Sequence, residues 1–387
     1  MSKRSLSLAL IIGLSLTACA EDTAPKTAPL ACGITGSGPL ALAVGSHANA
    51  PAPKIDAALT DLVRETVKAG HMFSLIRIDG ASKVAFSEQF ASDAGNDVAL
   101  NDDVDTYVTK VEQAIETDVR AQAPEVDVLT ALTHAAANTA PGGNVVLIDS
   151  GLQTKAPLDF REMIDAEPAD VVEQLRRQQL IPDLKGRKVL LSGLGYVASP
   201  QREPDLRLQR NIIAIWTEIA EAGGASCVAP DPRVKPEPAP EGVPAVSVVP
   251  LPTTPVTFSP CRQSDLNDGN NVGFVRGTAT FREPGPARAT LTKLADTLSK
   301  DHLRVKLIGS TSSEGEPETN LRLSQDRAEA VKRELVALGA PEGSITTEGR
   351  GEQWKGRVDD TAPDGTLLPG PAARNRKVIA ELTCPST

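Results

Sequence analysis

Long hydrophobic runs are nearly missing from this chain of 387 residues. The one continuous apolar stretch, residues 6–16, is too short to span a bilayer, which takes roughly 20 apolar residues in a helix, so a polytopic helical membrane protein is excluded. A basic surplus is missing as well. The chain has 40 Lys+Arg against 50 Asp+Glu, and a nonspecific nucleic-acid binder needs the opposite balance to displace phosphate counterions. The imbalance is local: residues 261–387 hold 18 acidic and 18 basic side chains, so the whole excess lies in the first 260. There is no Cys-x-x-Cys and no Cys/His cluster, which leaves no zinc site. There is also no Gly-x-Ser-x-Gly elbow, and His47, His71, His134 and His302 stand in unrelated contexts, so no hydrolytic triad is nominated. No internal repeat is visible. The expectation is a protein that is not an enzyme and carries no cofactor and no metal. What is present is ordinary globular composition, 40% hydrophobic and 23% charged, in a length that suits two or three domains.

The most specific short signal is at the start. Lys3 and Arg4 precede the apolar run, and Leu16-Thr17-Ala18-Cys19 follows it, the layout of a secretory signal. Leu-Thr-Ala-Cys resembles a bacterial lipobox, which implies that residues 1–18 are a signal peptide removed before Cys19 and that Cys19 is lipidated. Residues 19–35 then form the lipidated N-terminus and a polar, Pro-rich tether. Two or more acyl chains anchor stably where one does not. The resemblance implies export and attachment to a bacterial membrane facing the cell wall. That membrane is the outer one in a Gram-negative envelope, which Ala20 and Glu21 suit, or the outer face of the plasma membrane where there is only one.

Residues 36–230 alternate between strand and helix signals. Apolar runs at 40–44, 72–78, 83–90, 145–148, 188–192 and 225–229 read as strands. Helical spacing appears at 55–67, 101–121, 126–139, 170–180 and 205–222. This order specifies a doubly wound, mostly parallel α/β sheet with one antiparallel edge. It resembles the von Willebrand factor A fold, and residues 145–151, Val-Val-Leu-Ile-Asp-Ser-Gly, are similar to that family's apolar strand ending in Thr-Asp-Gly. Where metal-binding members carry Asp-x-Ser-x-Ser, this chain reads Gly45-Ser46-His47-Ala48-Asn49, so the expectation is a metal-free domain that contacts an unknown protein partner. A Gly-x-Gly-x-x-Ala at 193–198 follows a late strand and meets Pro200, a poor context for a dinucleotide site.

Residues 231–260 are rich in proline, including Pro-Glu-Pro-Ala-Pro at 236–240, and read as an extended, stiff linker. Its apolar run at 246–251 reads as an edge strand of the domain that follows. That domain spans 261–387, possible start near 243. Strands are expected at 272–281, 303–308, 345–351 and 376–382, and helices around 291–298 and 318–338, with a Gly/Pro-rich loop at 356–373. This gives an α+β sandwich of helices on one sheet.

The motifs here are Gly309-Ser310-Thr311-Ser312-Ser313-Glu314-Gly315, then Asn320, Leu323-Ser324 and Arg327-Ala328, with Gly349-Arg350-Gly351-Glu352 and Asn375-Arg376-Lys377-Val378 further on. In order and spacing they resemble the OmpA-like peptidoglycan-binding domain. The resemblance implies a peptidoglycan site of Ser310, Thr311, Ser312, Glu314, Asn320, Leu323 and Arg327. In the family an Asp takes the ammonium of a diaminopimelate stem peptide while an Arg forks onto its carboxylate. Here Arg327 holds the Arg position and should project into an open groove, while Ser312 replaces the Asp and Ser310 the preceding His. Glu314 is a candidate replacement carboxylate. Four cysteines remain besides Cys19, and with Cys32 and Cys227 bracketing one domain and Cys261 and Cys384 the other, a bridge within each is the simplest pairing. The expected function is a lipid-anchored tether between envelope and peptidoglycan. The alternative is a scaffold of an envelope complex whose OmpA-like domain binds no wall.

Overall fold

A computed structural model describes residues 29–232, 237–252, 256–300 and 302–384. The expected signal peptide, Cys19 and most of the tether lie outside the described residues. Among the described residues no helix is long and apolar enough to cross a membrane.

The first domain runs β1 (Leu40–Gly45), α1 (Ala57–Lys68), β2 (Met72–Ile78), β3 (Lys83–Gln89), α2 (Asp97–Thr117), α3 (Val128–Ala137), β4 (Asn144–Ile148), α4 (Phe160–Met163), α5 (Pro168–Arg177), β5 (Lys188–Ser192), α6 (Leu206–Ala222) and β6 (Cys227–Asp231). Its sheet order is β3-β2-β1-β4-β5-β6, with only the β2–β3 pair antiparallel. Strands covered by helices on both faces are continuous apolar runs, as β1 and β4 are, and every residue of both is buried. One apolar core gathers α3, α5 and α6 on one side of the sheet and another gathers α1 and α2 on the other. Side chains of Asp56, Asn96, Asp127 and Asp205 cap α1, α2, α3 and α6, each a contribution of about 1 kcal/mol.

The second domain runs β7 (Gln263–Leu266), α7 (Pro284–Lys300), β8 (Val305–Ser310), α8 (Pro317–Ala337), β9 (Ile345–Gly349), α9 (Pro369–Asn375) and β10 (Lys377–Leu382). Its sheet order is β7-β10-β8-β9, with β8 and β9 parallel and β10 antiparallel to both of its neighbours. The core joins α7 and α8 to the sheet. The four cysteines pair as Cys32–Cys227 and Cys261–Cys384.

Three expectations need correction. Residues 272–281 are not a sheet strand: Gly277 adopts φ +68°, so the chain reverses, and Phe274 stacks on Phe281 with ring centroids 5.1 Å apart. The alternation is therefore satisfied within a loop, and the edge of the sheet is taken by the short polar β7. The run at 246–251 is not an edge strand either. Val246 and Val249 are buried in the core of the first domain. There the segment is laced to that domain: Asn49 Nδ2 donates to Val246 O (3.0 Å), Ser247 Oγ to Glu125 Oε1 (2.6 Å), and the Val249 N–H to Gln201 Oε1 (2.7 Å). The part of the proline-rich stretch at 237–252 is thus a strap on the first domain and not a free spacer.

Candidate functional site

The motif residues assemble because β8 and α8 cross at very short range. A Cβ on Gly309 would lie 1.9 Å from the Ser324 carbonyl oxygen, so only glycine lets the strand end here and deliver the following loop to the start of α8. Ser324, fully buried, receives the Gly351 N–H at 2.8 Å, and Thr311 N–H donates to Gly351 O at 2.9 Å. Asn320 Nδ2 reaches Glu352 Oε2 at 3.2 Å. The motifs thus hold one another in place across three loops.

Asp360 is the hidden organiser. Fully buried, it accepts from Ser313 N–H (3.0 Å) and Asn375 Nδ2 (2.9 Å) and pairs with Arg357. Although burial pushes its carboxyl up, these hydrogen bonds outweigh it and hold it below the ordinary aspartate range.

The resulting groove, about 290 Å³, is lined by Thr311, Ser312, Glu314, Asn320, Leu323 and Arg327 from the expected set. Ser310 does not line it. Its hydroxyl turns inward and donates to Asn375 O at 2.7 Å. Arg327 was expected in the open, and it is instead 3% exposed, with its guanidinium carbon 5.2 Å from the Phe274 ring centroid. Its Nε donates to Thr278 O at 2.9 Å. Among the described residues it has no ion-pair partner, and neither Asp326 nor Glu329 approaches it. Burial, and then the nearby Arg376, push its pKa down to about 10, so it stays charged at neutral pH. The Thr311 hydroxyl on the same wall is buried without a hydrogen-bond partner.

Glu314 does not stand free as a replacement carboxylate. It pairs with Arg276 and, at 3.1 Å, with Arg376, whose Nε also donates to Ser312 Oγ at 3.1 Å. Between the same two arginines lies a residue of the first domain: Asp170, with a side chain 1% exposed, stands 2.6 Å from Arg376 and 3.0 Å from Arg276. Burial pushes the Asp170 carboxyl above the ordinary aspartate value against the pull of both arginines. Asp165 and Glu167 add a first-domain wall to the groove, and Glu167 pairs with Arg282 at 2.7 Å. Sequence reading missed Asp170 and Arg276 because neither belongs to a motif. Arg376 stood in a quoted motif and signalled nothing of its partner.

In the first domain a second crevice opens at the ends of β1, β4 and β5, lined in part by Gly45, Asp149, Ser150 and Ser192. Beneath it His47 Nε2 lies 2.8 Å from Asp149 Oδ2 while Nδ1 lies 2.7 Å from Ala48 O. Burial alone would lower the histidine pKa, but Asp149, the Ala48 carbonyl and Asp79 outweigh it and hold it above the usual value. Gly45 makes this possible, since a Cβ there would fall 1.9 Å from Asp149 Oδ2. No group of three or more metal-ligating side chains occurs among the described residues.

Residues 273–365 match the OmpA family. The probable lipoprotein YiaD of Escherichia coli strain K12 is 39% identical over 87 residues, which are 22% of this chain and 39% of that protein. Among solved structures, the peptidoglycan-associated lipoprotein from Burkholderia pseudomallei is 26% identical, covering 28% of this chain and 85% of its own, with a TM-score of 0.23. The cell wall anchor of the type VI secretion system from Pseudomonas aeruginosa is 26% identical, covering 29% and 75%, with a TM-score of 0.24. The chain spans well under half the length of the curated relative, and the likeness is confined to its C-terminal part. Those matched residues include the groove's loop and helix, so the C-terminal region of this chain contains an OmpA-like domain.

Proposed function

We propose that this protein is a cell-envelope lipoprotein, anchored to a bacterial membrane through Cys19, that holds peptidoglycan noncovalently in the groove of its OmpA-like domain. One observation carries the reading: Arg327 is a buried guanidinium in a groove wall with no carboxylate paired to it. A buried charge without a partner costs several kcal/mol, and a fold tolerates it where a ligand supplies the counterion. A stem-peptide carboxylate, of the diaminopimelate type, is the anion whose planar fork Arg327 matches. The relatives named as lipoproteins and wall anchors support the same role, and the doubly wound first domain serves as an A-like protein module, not a catalyst. The scaffold alternative predicts no wall binding at all.

Co-sedimentation with purified diaminopimelate-type sacculi is the test. Arg327→Met should lower the bound fraction by about tenfold or more, the loss expected from removing a charge-assisted pair of roughly 1.5–3 kcal/mol. Equal pelleting of wild type and variant, or no pelleting of either, sinks the tether and favours the scaffold.

A further inference from the structure

The arginine pair beside the groove is already occupied, and by the protein itself. The Asp170 carboxylate lies between Arg276 and Arg376, and Arg376 in turn contacts Ser312, the position where the family's acidic ligand residue is missing. A carboxylate from the first domain therefore sits where a carboxylate-bearing ligand of this groove would meet its charges.

The surroundings say that this docking is reversible. Among the described residues no apolar core is shared between the domains: two belong to the first domain and its strap, and the third begins at Phe258. Beyond Asp170 the domains meet where α9 packs on α4, close enough that a Cβ on Gly370 would lie 2.1 Å from Glu162 O, and through largely solvent-accessible ion pairs, Glu162 with Arg374 at 3.0 Å, Glu167 with Arg282 at 2.7 Å, and Arg210 with Glu283 at 3.0 Å. Exposed pairs contribute about 0–1 kcal/mol each and weaken with salt, and polar interfaces between domains open readily. Docking also leaves the Thr311 hydroxyl without a hydrogen-bond partner and Arg327 without a paired carboxylate, so the closed arrangement fills only part of the groove's binding capacity. A wall strand is far larger than the groove that remains between Asp165, Glu167 and Arg327. Withdrawal of the first domain would remove the Asp165 and Glu167 wall and open the groove to it.

We propose that Asp170 is an internal carboxylate ligand of the OmpA-like groove, and that the first domain docked through it gates wall binding, a ligand carboxylate displacing Asp170 as the domains part. This rests on the wall-binding reading above and adds to it that the partner of the first domain's acidic face is the same chain.

The test uses the full-length lipoprotein in detergent, with two readouts: pelleting with diaminopimelate-type sacculi, and hydrogen exchange of α5 amides. Asp170→Asn should pellet severalfold more than wild type and exchange faster in α5. Glu162→Lys, which faces Arg374 outside the groove lining, guards against a misfolded first variant and should act in the same direction. A soluble stem peptide ending in diaminopimelate should speed α5 exchange in wild type. If both variants exchange faster yet pellet no better than wild type, or if the peptide leaves α5 protected, gating is overturned. Loss of pelleting in Arg327→Met alone, with both first-domain variants equal to wild type, overturns gating and leaves wall binding standing. Equal pelleting by Arg327→Met and wild type overturns wall binding itself, and gating with it.

Discussion

Two guanidinium groups are buried to nearly the same depth in this molecule, Arg77 in the first domain at 4% exposed and Arg327 in the second at 3%. Arg77 Nε lies 2.8 Å from Asp79 Oδ2, and Asp79 also accepts the N–H groups of Ala81, Gln122 and Ala123 at 2.8, 2.8 and 3.2 Å. That cluster ties the end of β2 to the chain leaving α2. Arg327 has an aromatic ring, one carbonyl and no carboxylate. Burial alone thus does not separate a structural charge from a functional one. Nor does a missing counterion by itself, since buried Arg187 also meets only carbonyls, those of Thr139 and Lys185; what sets Arg327 apart is that it lines the groove built by the motifs.

The largest expected effect breaks the first member of this pair. Arg77→Met leaves Asp79 buried without its cation and should cost about 3–5 kcal/mol, read from denaturant unfolding followed by exchange of β1 and β2 amides. Arg327→Met removes a charge that no carboxylate pairs. Its stability should stay within about 1 kcal/mol of wild type, or rise, while sacculus binding falls. A loss as large as that of Arg77→Met would make Arg327 a structural residue and erase the contrast.

The smallest effect concerns His47, a third buried charge, whose pKa is held above its ordinary 6.5. Its contribution is fully present below the unfolded value of 6.5 and lost as pH rises through the raised folded value. The stability difference between wild type and His47→Gln should therefore shrink as pH increases beyond that window. A difference that stays flat from acid to alkaline pH would mean that His47 is buried neutral.

Legibility followed the range of the interactions. The parallel strands were readable because each is a short apolar run between helical periods, and α8 because its inward stripe of Ala328, Val331 and Leu335 is long. β7 was not, since Gln-Ser-Asp-Leu at a sheet edge carries no alternating apolar pattern. The loop at 272–281 misled because stacked phenylalanines two-sided about a glycine turn imitate a strand. Six groove residues were readable from motifs of fixed spacing, whereas Ser310, in the same motif, turns its hydroxyl inward, which its identity did not show. Asp170, Arg276 and Asp360 act through partners distant in the chain, and the strap's burial depends on a surface that its own sequence does not contain. Composition marked that stretch as non-helical, which its described part at 237–252 is, and left its attachment invisible.

For the tether proposed above, the Cys32–Cys227 bridge would have a mechanical meaning. It joins Cys32, in the turn ahead of β1, to the first residue of β6, a sequence separation of 195. In the proposed tether, tension entering ahead of Cys32 and leaving beyond β6 would pass through this sulfur bond and spare the strand pairing of the sheet between them. The contour length of the linkage would stay locked. With the bridge reduced, unfolding of the domain under load would lengthen that linkage by up to about 650 Å at roughly 3.3 Å per residue.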